Sequence, residues 1–186
     1  MHIIGLGNPG DKYEHTKHNV GYSVINKLAE KFNMNFKLGK AEYMFSKSPK
    51  INLLKPLNFM NNSGIAVKHY IEYFDININD LLVVYDDADL MVGQFKFKPQ
   101  GGSAGQKGLE SIIYHLKTDD FLRLKIGIGN NDNAPLKSYV LSPFKGKDAD
   151  IMNNTLDDCC EAIQFLLENN INDTMNKYNT KNKESN

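Results

Sequence analysis

The chain has 186 residues, 41% of them hydrophobic and 24% charged, and its formal net charge is zero. That length suits one domain with a buried core, and the composition excludes a disordered or fibrous chain. No apolar run reaches the ~18 residues that span a bilayer, and the opening residues lack a basic segment followed by a long apolar stretch, so neither a membrane span nor a secretory leader is expected.

HIIGLG at residues 2–7 reads as a short buried strand ending at glycines. Residues 11–19 are polar and read as a loop. Val20, Val24, Leu28 and Phe32 recur at helical spacing, so VGYSVINKLAEKF reads as an amphipathic helix. Two strand-like runs follow, YMFSKS and KINLLK, separated near Pro49. NNSGIAVKHYIEYF starts with polar cap residues and continues as a second helix. DLLVVYDDADL is an apolar strand that stops in acids, and QFKFK alternates like a half-exposed strand. QGGSAGQKG is a glycine loop leading into LESIIYHLK, a third helix, and FLRLKIGIG is a further strand. Residues 147–169 form a long amphipathic helix. Its adjacent Cys159 and Cys160 share an apolar stripe with Leu156, Ile163, Leu166 and Leu167, which marks them as core thiols. Nothing suggests a disulfide framework, so a reducing cytoplasm fits.

Strands alternating with helices imply an α/β domain with helices on both faces of the sheet. The alternating QFKFK implies at least one antiparallel strand, hence a mixed sheet. With no repeat and no linker, residues 1–186 read as a single domain, with 177–186 a polar, frayed tail.

Charge is unevenly spread. Residues 1–60 carry nine lysines against four acids, residues 61–95 carry six acids against one lysine, and residues 96–130 carry six bases against three acids. A fold that brings the first and third blocks together makes a basic face on a neutral molecule.

Gly5, Gly7 and Gly10 spell the G-x-G-x-x-G of a dinucleotide turn. That chemistry needs a helix opening directly after the turn, with its N-terminus facing a pyrophosphate. Here DKYEHTKHN intervenes, and the acid about twenty residues on, Glu30, falls inside a helix. The glycines are better read as a tight turn that lets Asn8 and the polar loop face a cleft. In that loop His15 and His18 lack a third ligand at convincing spacing, so no metal is expected.

Asp86 lies at the carboxyl end of LLVVY, where ligand sites of open α/β sheets are found. If the first strand is its parallel neighbour, Asn8, the histidine loop and Asp86 converge on one edge. A carboxylate beside an imidazole fixes its tautomer and makes it a better general base. LNFMNNSG adds an exposed apolar pair, Phe59 and Met60, beside Asn61 and Asn62, which otherwise read as helix caps. No Gly-x-Ser-x-Gly elbow occurs and no cysteine stands in a reactive setting, so a water-activating His–Asp pair remains.

GLGNPGDKYEHTKHNVG, KPLNFMNNSGIAV, LLVVYDDADL, KFKPQGGSAGQKGLESII and FLRLKIGIG, in this order, resemble bacterial peptidyl-tRNA hydrolase over residues 1–180. The resemblance implies a three-layer α/β/α sandwich around a mixed, mostly parallel sheet. It implies hydrolysis of the ester between a peptide and the 3′-terminal ribose of tRNA, with no cofactor. It makes His18, Asp86 and Asn8 catalytic, and gives Tyr13, Phe59, Met60 and Asn61 to the tRNA end and peptide. Lys98 and Lys125 match bases that grip the tRNA 5′ phosphate. Lys125 stands where Arg is common, and Lys offers no bidentate fork. The implied partner is a tRNA carrying a peptide, away from membranes; the cysteine usage fits a cytoplasmic protein, and a monomer is the default expectation. One departure stands out: Gln106–Lys107 replaces the common His-Asn pair. Lys107 is expected to stabilise an oxyanion as an electrostatic donor. The departure also supports a rival reading, a non-catalytic RNA-binding relative.

Overall fold

The computed structural model describes residues 1–130 and 135–181. Seven strands, β1 (His2–Gly5), β2 (Lys37–Leu38), β3 (Tyr43–Lys47), β4 (Asn52–Pro56), β5 (Leu81–Asp87), β6 (Phe95–Lys98) and β7 (Leu122–Gly127), form one sheet. Its order is β2-β3-β4-β1-β5-β7-β6. The central strands β4, β1, β5 and β7 are parallel, while β3 and β6 run against their neighbours. The helices are α1 (Val20–Lys31), α2 (Ser63–Phe74), α3 (Lys107–Leu116), α4 (Leu136–Val140), α5 (Lys147–Glu168) and α6 (Ile171–Lys181).

Strand side chains alternate between two cores. Ile3, Leu53, Leu82 and Val84 pack with Val24 and Leu28 of α1 and with Leu156, Cys159 and Ile163 of α5. Ile4, Leu54, Val83 and Tyr85 pack with Val67 and Tyr70 of α2 and with Leu109 and Ile112 of α3. The period-2 pattern of the buried strands thus produces the three layers directly.

The glycines after β1 serve close packing and turning. A Cβ at Gly5 would sit 2.4 Å from the carbonyl oxygen of Gly21, and one at Gly21 would sit 2.4 Å from that of Val84. Only glycine lets α1 cross β1 and β5 at this distance. Gly10 adopts φ +100°, a left-handed turn that opens the loop toward His18.

Several expectations are corrected. Residues 11–19 contain two 3₁₀ turns, Asp11–Tyr13 and Lys17–Asn19, rather than plain loop. The chain from Lys177 to Lys181 is helical, not frayed: Tyr178 is buried, and Asn179 donates to and accepts from the backbone of Phe97 at 3.0 and 2.8 Å. The Asn179 amide occupies the hydrogen-bonding edge of β6, which would otherwise invite pairing with another chain. The sequence signal was Asn170, which caps α6 through the amide of Asp173, followed by Ile171, Met175 and Tyr178 on one face. Residues 182–186 of the expected tail lie outside the described residues. Of the strands from the first basic block, β2 and β3 stand at the sheet edge opposite β6, while β4 and β1 lie in its centre.

Candidate active site

β1 and β5 are hydrogen-bonded parallel neighbours, with Gly5 opposite Val84. The segment after β1 and the end of β5 therefore emerge on the same side of the sheet. His18 rides on the Lys17–Asn19 turn and Asp86 on β5. Nδ1 of His18 lies 2.7 Å from Oδ2 of Asp86. The carboxylate is 4% exposed, and an ionised carboxylate can only accept, so the contact suits the tautomer with its proton on Nδ1 and Nε2 as the remaining ring nitrogen. The imidazole is 13% exposed, enough to meet a small molecule at its open side.

The second carboxylate oxygen of Asp86 accepts a hydrogen bond from Nε2 of Gln106 at 2.9 Å. Oε1 of Gln106 accepts from the amide of Leu109 at 2.7 Å, capping α3, and this fixes which way the side-chain amide faces. Gln106 was read in the sequence only as a departure. Its site role was hidden because an N-cap glutamine and a carboxylate twenty residues away carry no shared local pattern.

Asn8 is buried and held from both sides. Its amide donates to Oδ1 of Asn19 at 2.8 Å, and its carbonyl accepts from Nδ2 of Asn19 at 3.0 Å. Its side-chain Oδ1 accepts the Met60 amide at 2.8 Å, so Nδ2 is the donor it has left to offer. Met60 is itself 4% exposed, which corrects the expectation of an exposed Phe59–Met60 pair. Its sulfur faces the Gln106 amide at 3.4 Å, filling the wall between Asn8 and α3. Phe59 is 55% exposed and meets Tyr13 edge-to-face at 6.3 Å. Asn61 is exposed beside them, and Asn62 holds the N-cap position of α2 without a side-chain cap bond.

The cationic candidates divide. Lys107 lies on exposed surface, where its ammonium pairs with Glu110 at 2.9 Å, one turn along α3. It is turned to its own helix, so the structure offers Gln106, not Lys107, to the His–Asp pair. Lys125 is largely buried against Asp87 in an ion pair, and Asp87 also accepts the Asp89 amide at 2.8 Å. Lys98 is exposed, opposite Arg123 in the β6–β7 ladder, while Lys96 stands opposite Lys125. Lys98 and Lys125 thus share one face as diagonal neighbours. Among the described residues, no group of three His, Cys, Asp or Glu side chains gathers where a metal could be held. No described helix is long and apolar enough to cross a membrane.

The family model described as peptidyl-tRNA hydrolase matches residues 2–186. The chain belongs to the peptidyl-tRNA hydrolase family. It is 45% identical over 184 residues to a peptidyl-tRNA hydrolase of a Hydrogenobaculum species, covering 96% of this chain and 97% of that one. It is 41% identical over 177 residues to that of Metamycoplasma arthritidis, covering 95% and 97%. The crystal structure of peptidyl-tRNA hydrolase from Acinetobacter baumannii superposes with a TM-score of 0.90 at 29% identity, over 96% of this chain and 93% of that one. The family cleaves peptidyl-tRNA at its ester bond, and this chain is a hydrolase of that class. The hydrogen-bonded pair of His18 and Asp86 is therefore met in a chain whose relatives perform hydrolysis over the same fold.

Proposed function

We propose that the chain hydrolyses the ester joining a peptide to the 3′-terminal ribose of tRNA by direct attack of water, with His18 as general base. The carrying observation is the 2.7 Å contact between Nδ1 of His18 and Asp86, with the carboxylate buried and its other oxygen on Gln106. Nε2 removes a proton from water as the water oxygen bonds to the ester carbon. Asp86 stabilises the resulting imidazolium. The tetrahedral oxyanion is met by Nδ2 of Asn8, with Asn61 beside it and the open amides of the first turn of α3 behind it. Collapse breaks the bond to the ribose 3′ oxygen, which takes the proton back from His18. Water is the nucleophile, and the protein supplies base, orientation and donors.

Phe59 and Tyr13 form an exposed aromatic corner suited to stacking the terminal base or an apolar peptide side chain. Lys98 supplies an exposed cation for a phosphate, and Lys125 a second one already shared with Asp87. The reaction recycles tRNA from stalled translation, and the working form is read as a cytoplasmic monomer. The rival reading as a non-catalytic RNA binder loses its main support, because Gln106 is built into the His–Asp pair instead of disrupting it.

The test compares N-acetyl-aminoacyl-tRNA with unblocked aminoacyl-tRNA, using the wild-type chain and His18→Ala. Release is expected from the blocked substrate alone. His18→Ala should lower turnover by about 10²–10⁴-fold, the usual contribution of a positioned general base, with folding retained. Unchanged turnover in that variant removes His18 from the mechanism.

A further inference from the structure

His18 stands between two neighbours anchored to different parts of the fold. On one side Asn19 grips the backbone of Asn8, as described. On the other, Lys17 is 6% exposed with no ion pair among the described residues, which is rare for a lysine. Its ammonium donates to Oγ of Ser142 and to the carbonyl of Pro143, both at 2.9 Å. The same ammonium lies 4.5 Å from the ring centre of Tyr139 and 5.0 Å from that of Phe144. The backbone joins in: the Lys17 amide donates to the Ser142 carbonyl at 3.1 Å, and Thr16 bridges Pro143. The receiving segment is itself tied to the sheet, because the Tyr139 hydroxyl donates to the Ile128 carbonyl just past β7 at 2.7 Å.

Both direct acceptors of Lys17 are neutral, so this cation is desolvated without full compensation. Burial pushes its ammonium below the usual lysine value, with Asp148 opposing and Lys145 adding to the effect. If the contact served packing alone, an apolar side chain between the Tyr139 and Phe144 rings would avoid that cost. What an apolar residue cannot do is fix direction, since two hydrogen bonds and two ring faces orient one ammonium.

We infer that Lys17 is a positioning residue for His18, locking the turn that carries the imidazole to the Tyr139–Phe144 segment so that Nε2 faces the substrate while Nδ1 stays on Asp86. The inference rests on the proposed role of His18 as base. It assigns the Tyr139–Phe144 segment a part in catalysis that acts through His18. The 3₁₀ turn is anchored from outside at three successive residues, by Lys17 on the Tyr139–Phe144 segment, by His18 on Asp86 and by Asn19 on Asn8.

The test measures kcat and KM on N-acetyl-aminoacyl-tRNA for Lys17→Met, Lys17→Arg and Ser142→Ala, beside His18→Ala. Displacing a catalytic group by about 1 Å costs up to ~10²-fold, so Lys17→Met is expected to lower kcat about 10–100-fold with KM within about twofold. Lys17→Arg, which keeps donors and cation, should recover most of that loss. The ¹⁵N resonances of the His18 ring should move in Lys17→Met and stay near wild type in Lys17→Arg. Ser142→Ala removes one acceptor without touching the lysine, and a fall in kcat is expected there too. It carries the test if Lys17→Met does not fold. Wild-type kcat in Lys17→Met, or equal defects in Met and Arg variants with unmoved His18 resonances, overturns the inference while leaving His18 as base. Full turnover in His18→Ala overturns both.

Discussion

His18 and Asp86 lie sixty-eight residues apart in the chain and 2.7 Å apart in space. Two parallel strands create that proximity, since β1 delivers the histidine turn and β5 the carboxylate to the same end of the sheet. Asp86 is then shared: one oxygen faces His18 and the other faces Gln106. A carboxylate held at both oxygens has little freedom to rotate away from the imidazole.

Gln106 should therefore matter to catalysis through Asp86. Gln106→Ala removes a hydrogen bond to a charged group, and turnover should fall about tenfold, equivalent to ~1.4 kcal/mol. Loss of the α3 cap should also lower stability by about 1 kcal/mol, seen as a lower denaturation midpoint. Gln106→Glu should be worse for turnover, because it sets a second carboxylate against Asp86 and forces one of them to hold a proton. Equal activity in all three proteins would mean that Asp86 needs no second anchor.

The lysines should separate by surroundings. Lys107 is two-thirds exposed, and an exposed pair such as Lys107–Glu110 is worth about 0–1 kcal/mol before screening, so Lys107→Ala should leave turnover within about twofold. Lys98→Ala should raise KM and reduce the salt dependence of substrate affinity by a slope of about one. Lys125→Ala should instead lose stability, by about 3–5 kcal/mol if Asp87 keeps its charge, because it orphans a buried carboxylate. A salt titration of KM with a thermal melt of each variant distinguishes these behaviours. A large kcat loss in Lys107→Ala would return that residue to the site.

Gly21→Ala should strain the junction that sets the site. The added Cβ would lie 2.4 Å from the Val84 oxygen and 2.5 Å from that of Leu6, both backbone atoms with no room to move. Overpacking of this kind costs about 1–3 kcal/mol, and turnover should fall with it because β1, β5 and α1 frame the His18 turn. A melt showing wild-type stability would contradict the close approach.

Acid sensitivity should have a contribution from His2. Burial is the main cause that lowers its pKa from 6.5 to about 4, aided by the N-terminal ammonium and Lys47 and opposed by Asp80. The folded imidazole donates to or accepts from the Tyr70 hydroxyl at 3.0 Å. Above pH 6.5 both folded and unfolded chains hold it neutral and its contribution is complete. As pH falls from 6.5 toward about 4, the unfolded chain takes up a proton that the folded one refuses, so stability is lost. His2→Gln should lose less Tm between pH 7 and pH 4.5 than the wild-type chain; identical losses would assign the acid sensitivity elsewhere.

Much of the fold was legible because burial imposes a period. The strands β1 and β5 are apolar runs bounded by glycine or acids, β7 alternates, β4 follows the break near Pro49, and α1, α2, α3 and α5 repeat at 3.6 residues. Elements with weak periodicity were missed: the two-residue β2, the five-residue α4 and the polar α6, which is held by Tyr178 and Asn179 against β6. Within the site, Asp86, Asn8 and the histidine loop could be placed because each sits just past or at the end of a recognisable strand, while the choice of His18 over His15 came from the resemblance alone. The exposure expected of Met60 was wrong, and the side chain of Lys107 pairs with Glu110 instead of facing Asp86, for a common reason. Local sequence gives the side-chain type and the element, not the direction from which a neighbouring element covers it.

The sequence by itself determined the α/β layering, the polar loop after the first strand and the resemblance that names the reaction, since these follow from residue order and local periodicity. Only the tertiary structure decided that Gln106 rather than Lys107 turns to Asp86, that Lys125 is bound to Asp87, and that Lys17 ties the histidine turn to a segment more than a hundred residues away. Those outcomes depend on which buried polar groups find one another once the layers close, and an unpaired donor or acceptor in that interior costs too much to be left to the local chain.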